Sequence, residues 1–527
     1  MNLERVAVLG GGPGGLYAAR LIKRSHPDAD VTVYEQSLPD QTFGFGVGLA
    51  SRTQRNLREA DPVSLEAIVA AAHPHEMSMQ VGDKVATLAH GELLAVARTA
   101  LLATLQEQAQ NAGVRMYFGE RREVTELDAD LVIAADGINS ATRTRMADTF
   151  GPRIGTGAGL YLWCGTEFAL PSAIFVPVTT EHGTFVAHAY PYAKDRSTFL
   201  IETDEETWRR AGFDVSTDRT APADSDSFAL EYLQRAFADT LQNNRLIGNR
   251  TRWTHFRTIS CERWHSGKTV LLGDAAHTAH YSIGSGTKLA MEDAIALDNA
   301  LSTAQTVEDA LVEYEQVRRP AVEYLQEIAQ RSELWWESFP QRMNLPLEQL
   351  MIAYMTRAGK VSVGRFRDSA PALVQKGLAS YANVHVGVVP ATDIDDWILA
   401  QSLDNDQGRF EDRVATSKLR GADTTAVINV DFDSAWGVEA AHIVETAPNC
   451  RALWLTGPPS RAAVFTRLDL AERLRRRSGP LLVVEAPSSC REDIAAGLAS
   501  ARIDLVFFNE AESTPADPAL SSSGASA

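Results

Sequence analysis

The sequence predicts an α/β protein whose main sheet is parallel and doubly wound. Three short apolar runs, residues 6–9, 131–135 and 270–272, each lead directly into a turn that contains glycine. Strand-like runs alternate with helical segments over residues 1–75 and 90–150, which is typical of strands wound with helices on both faces. From residue 151 to 255 strand-like stretches follow one another, which indicates an inserted, mainly antiparallel sheet.

The first apolar run enters a glycine-rich turn and then a helix, in the sequence VAVLGGGPGGLYAAR. Gly10 permits the tight turn, Gly12 and Gly14 belong to the loop that a pyrophosphate approaches, and Gly15 lets the helix pack on the strand. Phosphates would bind at the helix N-terminus, where free N–H groups favour negative charge. Glu35 ends the second strand, 20 residues after Gly15, where an acidic side chain would hold ribose hydroxyls. This motif predicts a dinucleotide and does not separate NAD from FAD.

Two later segments help to decide between NAD and FAD. The run at 131–135 enters Asp136-Gly137, and the run at 270–272 enters Gly273-Asp274 within GDAAH. With these three segments in this order, the chain resembles the class A flavin-dependent aromatic hydroxylases. The resemblance implies bound FAD, with Asp274 on its ribitol. Without the resemblance, Asp136-Gly137 can be a turn and Asp274 a helix cap.

The resemblance also implies further flavin contacts. The loop FGFGVGLA would lie beside a mobile flavin, or be an ordinary flexible loop. The residues assigned to the cofactor in this way are Gly46, Val47, Arg98, Asp136, Gly284, Ser285, Gly286 and Thr287.

Departures from the common pattern indicate a branch of the family. Most members have proline and asparagine where this chain has Tyr281 and Lys288. The variant AHYSIGSGTKLAMEDA is similar to the branch of salicylyl-CoA 5-hydroxylase and 2-aminobenzoyl-CoA monooxygenase, over about the first 375 residues of this chain. GSGTK lacks the order of a phosphate loop.

The activity implied by the resemblance is monooxygenation. NAD(P)H would reduce FAD, O2 would form a C4a-hydroperoxyflavin, and an electron-rich phenol or hydroxy-heteroaromatic ring would be hydroxylated, as a tailoring step in secondary metabolism. Alternatives are an aryl-CoA hydroxylase, a flavin dehydrogenase or reductase without oxygen insertion, and a non-catalytic FAD-binding scaffold.

Four residues are candidates for handling the substrate's proton. His280 and Tyr281 follow the GDAAH segment closely, and His188 and Tyr190 lie two apart on a predicted strand, so their side chains share one face. The alternative for each of them, which the residue types favour, is a packing residue. His277 can simply brace its loop.

Composition limits the function further. The 527-residue chain has a net charge of −18, which disfavours nucleic acid and anionic membranes as partners. Its four cysteines are scattered without CxxC or metal-ligand spacing, so we expect free thiols and no metal. The first strand begins almost at the N-terminus and no apolar run reaches about 18 residues. We therefore expect a cytoplasmic protein.

Domain boundaries follow from these patterns. We expect a discontinuous FAD-binding domain (1–75, 90–150 and 256–345), a substrate domain (76–89 and 151–255) and a connecting segment (346–390). Short apolar runs at 426–431, 452–455, 481–485 and 505–508 predict a C-terminal βα-repeat domain over 391–510, resembling part of a barrel and suited to homo-oligomer contacts. A disordered tail (511–527) would follow.

Overall fold

The computed structural model describes residues 3–39, 41–42, 44–88, 93–284, 286–475 and 479–509. The chain divides between Pro340 and Gln341 into two units. Within the described residues, no helix combines the length and apolar character needed to cross a membrane. Residues 511–527, for which the sequence predicts disorder, lie outside the described residues.

The first unit contains seventeen strands and twelve α-helices within its described residues. The strands are β1 (Arg5–Leu9), β2 (Asp30–Glu35), β3 (Gly46–Leu49), β4 (Ala72–Pro74), β5 (Met77–Val81), β6 (Lys84–Leu88), β7 (Leu94–Ala97), β8 (Arg115–Phe118), β9 (Leu131–Ala134), β10 (Pro152–Thr166), β11 (Ala173–Thr180), β12 (Gly183–Ala193), β13 (Arg196–Thr203), β14 (Leu246–Ile247), β15 (Thr254–Cys261), β16 (His265–Ser266) and β17 (Thr269–Leu271). The helices are α1 (Pro13–Ser25), α2 (Ser51–Ala60), α3 (Pro62–Ala70), α4 (Arg98–Ala112), α5 (Ala141–Arg145), α6 (Ala147–Phe150), α7 (Glu205–Arg210), α8 (Phe213–Arg219), α9 (Ser227–Ala236), α10 (Ala238–Leu241), α11 (Gly286–Thr303) and α12 (Val307–Glu337).

A six-stranded sheet has the order β16-β17-β9-β1-β2-β8, and all its strands except β16 are parallel. Strands β9 and β17 are buried along their whole length, as apolar strands are when helices cover both faces. The chain winds outward in both directions from β1, so the sheet has a switch point there. The prediction of an α/β fold with a parallel sheet is confirmed.

The second sheet is mainly antiparallel and has the order β14-β10-β13-β12-β11-β5-β6, with β15 also paired to β10. Its one parallel pair, β11 with β5, brings in an earlier segment of the chain, β5 and β6. The domain boundary expected at 255–256 falls inside β15, which pairs with β10. One face of this sheet packs on helices through aromatic side chains such as Phe185, Phe199, Phe213 and Trp253.

Two further elements frame the site. Strands β3, β7 and β4 form a small antiparallel sheet. Helix α12 runs for 31 residues with Pro320 inside it. Proline removes one backbone hydrogen bond and commonly kinks or breaks a helix, but α12 continues through Pro320.

The second unit carries a four-stranded parallel sheet in the sequential order β20-β21-β22-β23. Its elements are α13 (Leu347–Thr356), α14 (Val363–Ser369), α15 (Pro371–Ala382), α16 (Ile394–Leu399), β18 (Leu403–Asn405), β19 (Gly408–Phe410), α17 (Ser417–Arg420), β20 (Thr425–Asn429), α18 (Val438–Thr446), β21 (Ala452–Thr456), α19 (Arg461–Arg475), β22 (Leu481–Pro487), α20 (Arg491–Ala499) and β23 (Leu505–Asn509). The segment 346–390, expected to be a connection, forms α13 to α15 and belongs to this unit.

Candidate functional site

The three glycine-containing loops lie side by side at one edge of the parallel sheet. They leave the carboxyl ends of β1, β9 and β17, which are neighbours in the sheet. Backbone hydrogen bonds hold the strand ends together, from Ala135 N to Leu9 O (2.8 Å) and from Leu272 N to Ala134 O (3.0 Å). In open α/β sheets, ligands bind outside the carboxyl ends at the switch point.

Two glycines of the first loop are required by close packing. Gly10 has φ +104°, and a Cβ there would lie 2.2 Å from the carbonyl oxygen of Ala135. A Cβ on Gly15 would lie 2.2 Å from the carbonyl oxygen of Gly10. Neither position has room for a side chain.

The other two glycines differ from each other. A Cβ on Gly14 would lie 2.8 Å from Leu272 Cδ2 and 2.9 Å from Ala290 Cβ, so this glycine lets α1 approach α11. A Cβ on Gly12 would meet nothing within 4 Å. Gly12 therefore borders open space at the N-terminus of α1, where a phosphate would bind.

Glu35 lies beside this turn. Its Oε2 accepts a hydrogen bond from Gly11 N (2.7 Å), and its Oε1 accepts one from Ser37 N (2.7 Å). A carboxylate oxygen has two lone-pair positions, so each oxygen keeps one for a further donor such as a hydroxyl.

Asp136 has a structural role. Its Oδ1 accepts a hydrogen bond from Ser140 Oγ (2.6 Å), and its Oδ2 accepts bonds from the backbone N (3.0 Å) and Oγ1 (3.1 Å) of Thr142. The carboxylate thus orders the start of α5. These three hydrogen bonds are enough to explain an aspartate at residue 136, even if it contacts no ligand.

Asp274 differs from Asp136. Among the described residues no group donates a hydrogen bond to its carboxylate, which caps no helix and is exposed to open space. Restricted hydration in the surrounding protein nevertheless raises its pKa, against the opposing charges of His277 and Arg98. A carboxylate that is exposed but has a raised pKa lies in a recess of the surface. A ligand can fill this recess.

Arg98 begins α4 and shares this recess. Its Nε is buried and has no hydrogen-bond partner in the part of the chain that the structure describes. Burial lowers the pKa of Arg98, and the nearby Asp274 and Tyr190 oppose that change. A donor (Arg98), an acceptor (Asp274) and the open space at Gly12 suit a ligand that carries hydroxyls, carbonyls and phosphates. The residues present therefore fit FAD.

Asp293, on α11, holds the GDAAH loop in place through hydrogen bonds. One carboxylate oxygen lies 2.7 Å from His277 Nε2 and accepts a bond from Gly273 N (3.1 Å), while the other accepts one from Arg318 Nε (2.8 Å). The ring of Trp264 stacks on His277 at 4.9 Å. His277 thus braces its loop.

The remaining residues assigned to the flavin frame the recess. Gly46 N donates to Thr198 Oγ1 (2.9 Å), and a Cβ on Gly46 would lie 2.8 Å from Tyr192 Cδ1, so β3 approaches β12 and β13 closely. Val47 is buried and pairs with Val96. Gly284 has φ +61°, Gly286 and Thr287 begin α11 with open space at Gly286, and Ser285 lies outside the described residues.

Two of the candidate catalytic residues meet through a carboxylate that the sequence analysis missed. Tyr281 donates a hydrogen bond from its hydroxyl to Glu202 Oε2 (2.5 Å). His188 Nε2 lies 3.0 Å from Glu202 Oε1, but without hydrogen-bond alignment, so the attraction between them is electrostatic. His188 and Glu202 lie on the face of the antiparallel sheet that meets the C-terminal part of α12, where the ring of Trp336 packs 4.3 Å from that of His188. Tyr281 reaches them from the segment that follows β17.

Protonation differs within this group. Burial alone would raise the pKa of Glu202, but the charge of His188 and the bond from Tyr281 hold it below its ordinary value. Burial and the charge of Glu202 raise the pKa of Tyr281 well above its ordinary value. Tyr281 therefore stays a hydroxyl that donates to Glu202, and the imidazole of His188 lies beside the same carboxylate.

The other two candidates make different hydrogen bonds, although the ring of His280 lies 4.0 Å from that of Tyr281. Tyr190 donates from its hydroxyl to Gly46 O (2.8 Å), and burial raises its pKa to about 12. His280 Nδ1 lies 2.8 Å from Ser282 Oγ, which contacts Ser332 Oγ at 2.7 Å. The structure thus joins His188 with Tyr281 and ties Tyr190 to β3. One feature of the sequence could have identified Glu202 as a functional residue. It is a charged residue at the end of the apolar run FLIE, and charged residues are seldom buried unless they are paired.

Comparisons with known proteins agree with this site. A family model described as "FAD binding domain" matches residues 4–329. Salicyloyl-CoA 5-hydroxylase of Streptomyces sp is 43% identical, over 69% of this chain and 72% of the relative. The 3-hydroxy-4-methyl-anthranilyl-[aryl-carrier protein] 5-monooxygenase of Streptosporangium sibiricum is 37% identical, over 69% of this chain and 97% of the relative.

A solved structure shares the fold. The tetrameric form of 2-methyl-3-hydroxypyridine-5-carboxylic acid oxygenase has a TM-score of 0.51 and 20% identity, covering 68% of this chain and 96% of its own. The resemblance inferred from the three loops is confirmed. The chain belongs to the FAD-binding family of the class A flavin-dependent aromatic hydroxylases and is a flavin-dependent monooxygenase.

Proposed function

We propose that this enzyme uses NAD(P)H and O2 to hydroxylate an electron-rich phenol or hydroxy-heteroaromatic ring, as a tailoring step in secondary metabolism. The reaction consumes one O2, one NAD(P)H and one proton for each hydroxyl added, and it releases water. The chemistry supplied by bound FAD is hydride acceptance from NAD(P)H and activation of O2.

The chain's own residues have separate tasks in this proposal. The Gly12 turn and the N-terminus of α1 hold the pyrophosphate, Glu35 holds ribose hydroxyls, and Asp274 and Arg98 hold the ribitol and ring portions. Arg143, on α5, donates hydrogen bonds to the carbonyl oxygens of Ile138 and Ala275. It acts on the site indirectly, by fixing the loops that carry these groups.

A second set of residues acts on the substrate. His188 accepts the proton of the substrate's hydroxyl, which raises the electron density of the ring. Glu202 stabilises the resulting imidazolium, and Tyr281 holds Glu202 in place through their hydrogen bond. Phe175 and Trp336 pack against His188 and exclude water from it.

One observation carries the proposal. The orphaned donor Arg98 and the unpaired acceptor Asp274 border the same recess at the carboxyl ends of β1, β9 and β17. Tyr190, which lies near Arg98, is on β12 with His188, so the proton-accepting group belongs to the strand beside the recess.

The experiment that tests the proposal measures oxygen transfer. We would follow NAD(P)H oxidation by the FAD-loaded enzyme with phenols, hydroxypyridines and aryl-CoA thioesters, and then locate label from ¹⁸O₂ by mass spectrometry. Label in a hydroxylated product supports the proposal. NAD(P)H oxidation that yields only hydrogen peroxide, or a reduced substrate without label, contradicts it and favours a reductase.

A second candidate is hydroxylation of a ring carried on a thioester. The names of the two relatives above, one a CoA ester enzyme and the other acting on a carrier protein, favour it. The same panel separates the candidates, because a thioester enzyme would add label to the aryl-CoA thioesters and leave the phenols and hydroxypyridines unchanged.

We also propose a cytoplasmic homo-oligomer that associates through its second unit, where the four parallel strands are part of a barrel-like wall. The four described cysteines, which form no disulfide among themselves, support a reducing compartment. The tetrameric form of the neighbouring oxygenase supports an oligomer. Sedimentation of the intact enzyme tests the assembly.

A further inference from the structure

A narrow cavity lies beside Tyr281, between the antiparallel sheet and the end of α12. Carboxylates and aromatic rings dominate its walls, namely Glu202, Asp204, Glu333, Glu337, Tyr161, Phe256, Tyr281 and Trp336. Among the described residues that line it, none is lysine or arginine. The cavity therefore offers carboxylates and π-faces, and His280 is the one basic side chain among its described lining residues.

Glu333 is the unusual member of this set. Its side chain lies at the cavity and only 7% of the residue is exposed, yet it has no hydrogen bond or ion pair with any described residue. A buried carboxyl without a partner is unfavourable. Burial raises the pKa of Glu333 to about 8, and the charges of Glu337 and Glu202 add to this effect. The group is thus protonated at neutral pH while the cavity has no cation in it.

The neighbouring carboxylates are held in place. Glu337 lies four residues after Glu333, on the same face of α12, and its Oε1 accepts hydrogen bonds from Ala158 N (2.7 Å) and Gly159 N (2.8 Å). Glu202 is fixed by Tyr281. The titratable groups that line the cavity with Glu333 are Glu202, Asp204, Glu337, Tyr161, Tyr281 and His280.

The cavity adjoins the proposed site of the reacting ring. Tyr281 belongs both to its wall and to the group that contains His188 and Glu202. Tyr161 also lines the cavity, with its ring 5.0 Å from that of Tyr281. Burial raises the pKa of Tyr161 to about 12, and the charge of Asp274 adds to that effect, so the GDAAH loop is close. A substituent on the substrate can therefore extend into the cavity while the ring stays beside His188.

We propose that the cavity binds the protonated amine of a substrate that is a phenol with an aminoalkyl side chain. The proposal rests on the proposed function. An ammonium group between Glu333, Glu337 and Glu202 makes charge-assisted hydrogen bonds, and the rings of Tyr161 and Trp336 add cation–π attraction. The same carboxylates repel the phosphates of a CoA ester.

The test uses three probes that share a phenol ring: tyramine, neutral 4-propylphenol and anionic 3-(4-hydroxyphenyl)propanoate. Calorimetry with the FAD-loaded enzyme, without NAD(P)H, gives their affinities. We expect tyramine to bind at least about tenfold more tightly than 4-propylphenol, since hydrogen bonds to charged groups stabilise by about 1.5–3 kcal/mol. Binding of tyramine at pH 7 should release close to one proton, measured from the enthalpies in two buffers of different ionisation heat.

Two variants identify the group responsible. Glu333→Gln should remove both the preference for tyramine and the proton release. Glu323→Gln, on an exposed residue of the same helix, should keep both. Equal binding of tyramine and 4-propylphenol, or an unchanged preference in Glu333→Gln, overturns the proposal.

If Glu333→Gln does not fold, the proton release of the unsubstituted enzyme still tests whether Glu333 ionises when tyramine binds. Binding of tyramine without proton release overturns the proposal. The ¹⁸O₂ experiment separates this failure from that of the proposed function. Labelled products from tyramine and 4-propylphenol at equal affinity would reject the amine site and leave the hydroxylase intact. A panel with no labelled product would reject the hydroxylase.

Discussion

Arg143 donates a hydrogen bond of 2.8 Å from Nη1 to the carbonyl oxygen of Ala275. The same guanidinium bonds to the carbonyl oxygens of Ile138 (2.6 Å) and Asp274 (3.3 Å). One buried cation on α5 therefore joins the loop after β9 to the loop after β17. The relative position of these two loops, and with it the recess at Asp274, depends on this contact.

Replacing Arg143 by methionine should lower the free energy of unfolding of the first unit by about 2–5 kcal/mol. The loss is large because several buried carbonyl groups would lose their partner. Denaturant unfolding and the fraction of FAD retained on gel filtration measure the effect. Arg145→Met is the matched control, since Arg145 makes only an exposed ion pair with Glu123, and it should change neither quantity. Normal FAD retention in Arg143→Met would show that the hydrogen bonds of Arg143 do not position the loops.

Asp274→Ala should release FAD or weaken its binding, because the recess would lose its acceptor. Asp136→Ala should instead destabilise α5 by about 1 kcal/mol, through the loss of its bonds to Ser140 and Thr142. The flavin absorbance of the two purified proteins separates the roles. Full occupancy and unchanged turnover in Asp274→Ala contradict the assignment of this residue to the cofactor.

Gly12→Ala and Gly15→Ala form a second matched pair. The methyl group at residue 12 meets open space, so the protein should keep its melting temperature without FAD but bind FAD more weakly. The methyl group at residue 15 would lie 2.2 Å from a backbone oxygen and should destabilise the fold by about 2 kcal/mol or more. Thermal unfolding of both apoproteins, with FAD titration, tests the distinction. Equal behaviour of the two variants would count against it.

Glu202→Gln should reduce kcat by about 10²-fold if His188 is the proton acceptor, because general-base catalysis contributes on that order. Steady-state rates with the best phenol of the panel, with the oxygen label as a second readout, measure the change. Tyr281→Phe should have a smaller effect, since it removes only the bond that holds Glu202. An unchanged rate in Glu202→Gln would move the proton acceptor elsewhere.

The buried carboxyl of Glu333 predicts a pH dependence of stability. Its pKa in the folded protein is about 8, above the ordinary value of 4.5, so folding favours the protonated form. The stabilisation this group provides is fully present below pH 4.5 and is lost as the pH rises through 8. Between pH 5 and 9 the melting temperature should fall more steeply for the unsubstituted protein than for Glu333→Gln. Parallel curves would show that Glu333 is already ionised at low pH.

Much of the fold was accessible from the sequence because local signals mark it. Apolar runs that end at Gly10, Asp136 and Gly273 predict strands and their loops, and neighbouring parallel strands place those loops at one edge. The confirmed family resemblance depends on the same three loops.

The sequence was less informative about what each side chain contacts. Asp136 and Asp274 occupy similar places after apolar strands, yet the first binds its own helix and the second faces a recess. The bond between Glu202 and Tyr281 joins residues 79 apart, on elements that meet only after two sheets and a helix have packed. No local pattern encodes such a contact.

The order of strands in the parallel sheet also governs how the chain folds during synthesis. Strand β9 pairs with β1 on one side and with β17 on the other, although β17 is made well over a hundred residues after β9. At about 5–20 residues per second on the ribosome, one edge of β9 waits roughly 7–27 s for its partner. The emerging polypeptide therefore carries an unpaired, apolar strand edge through that interval, and expression yield should respond to chaperone supply and to translation speed between the codons for these two strands.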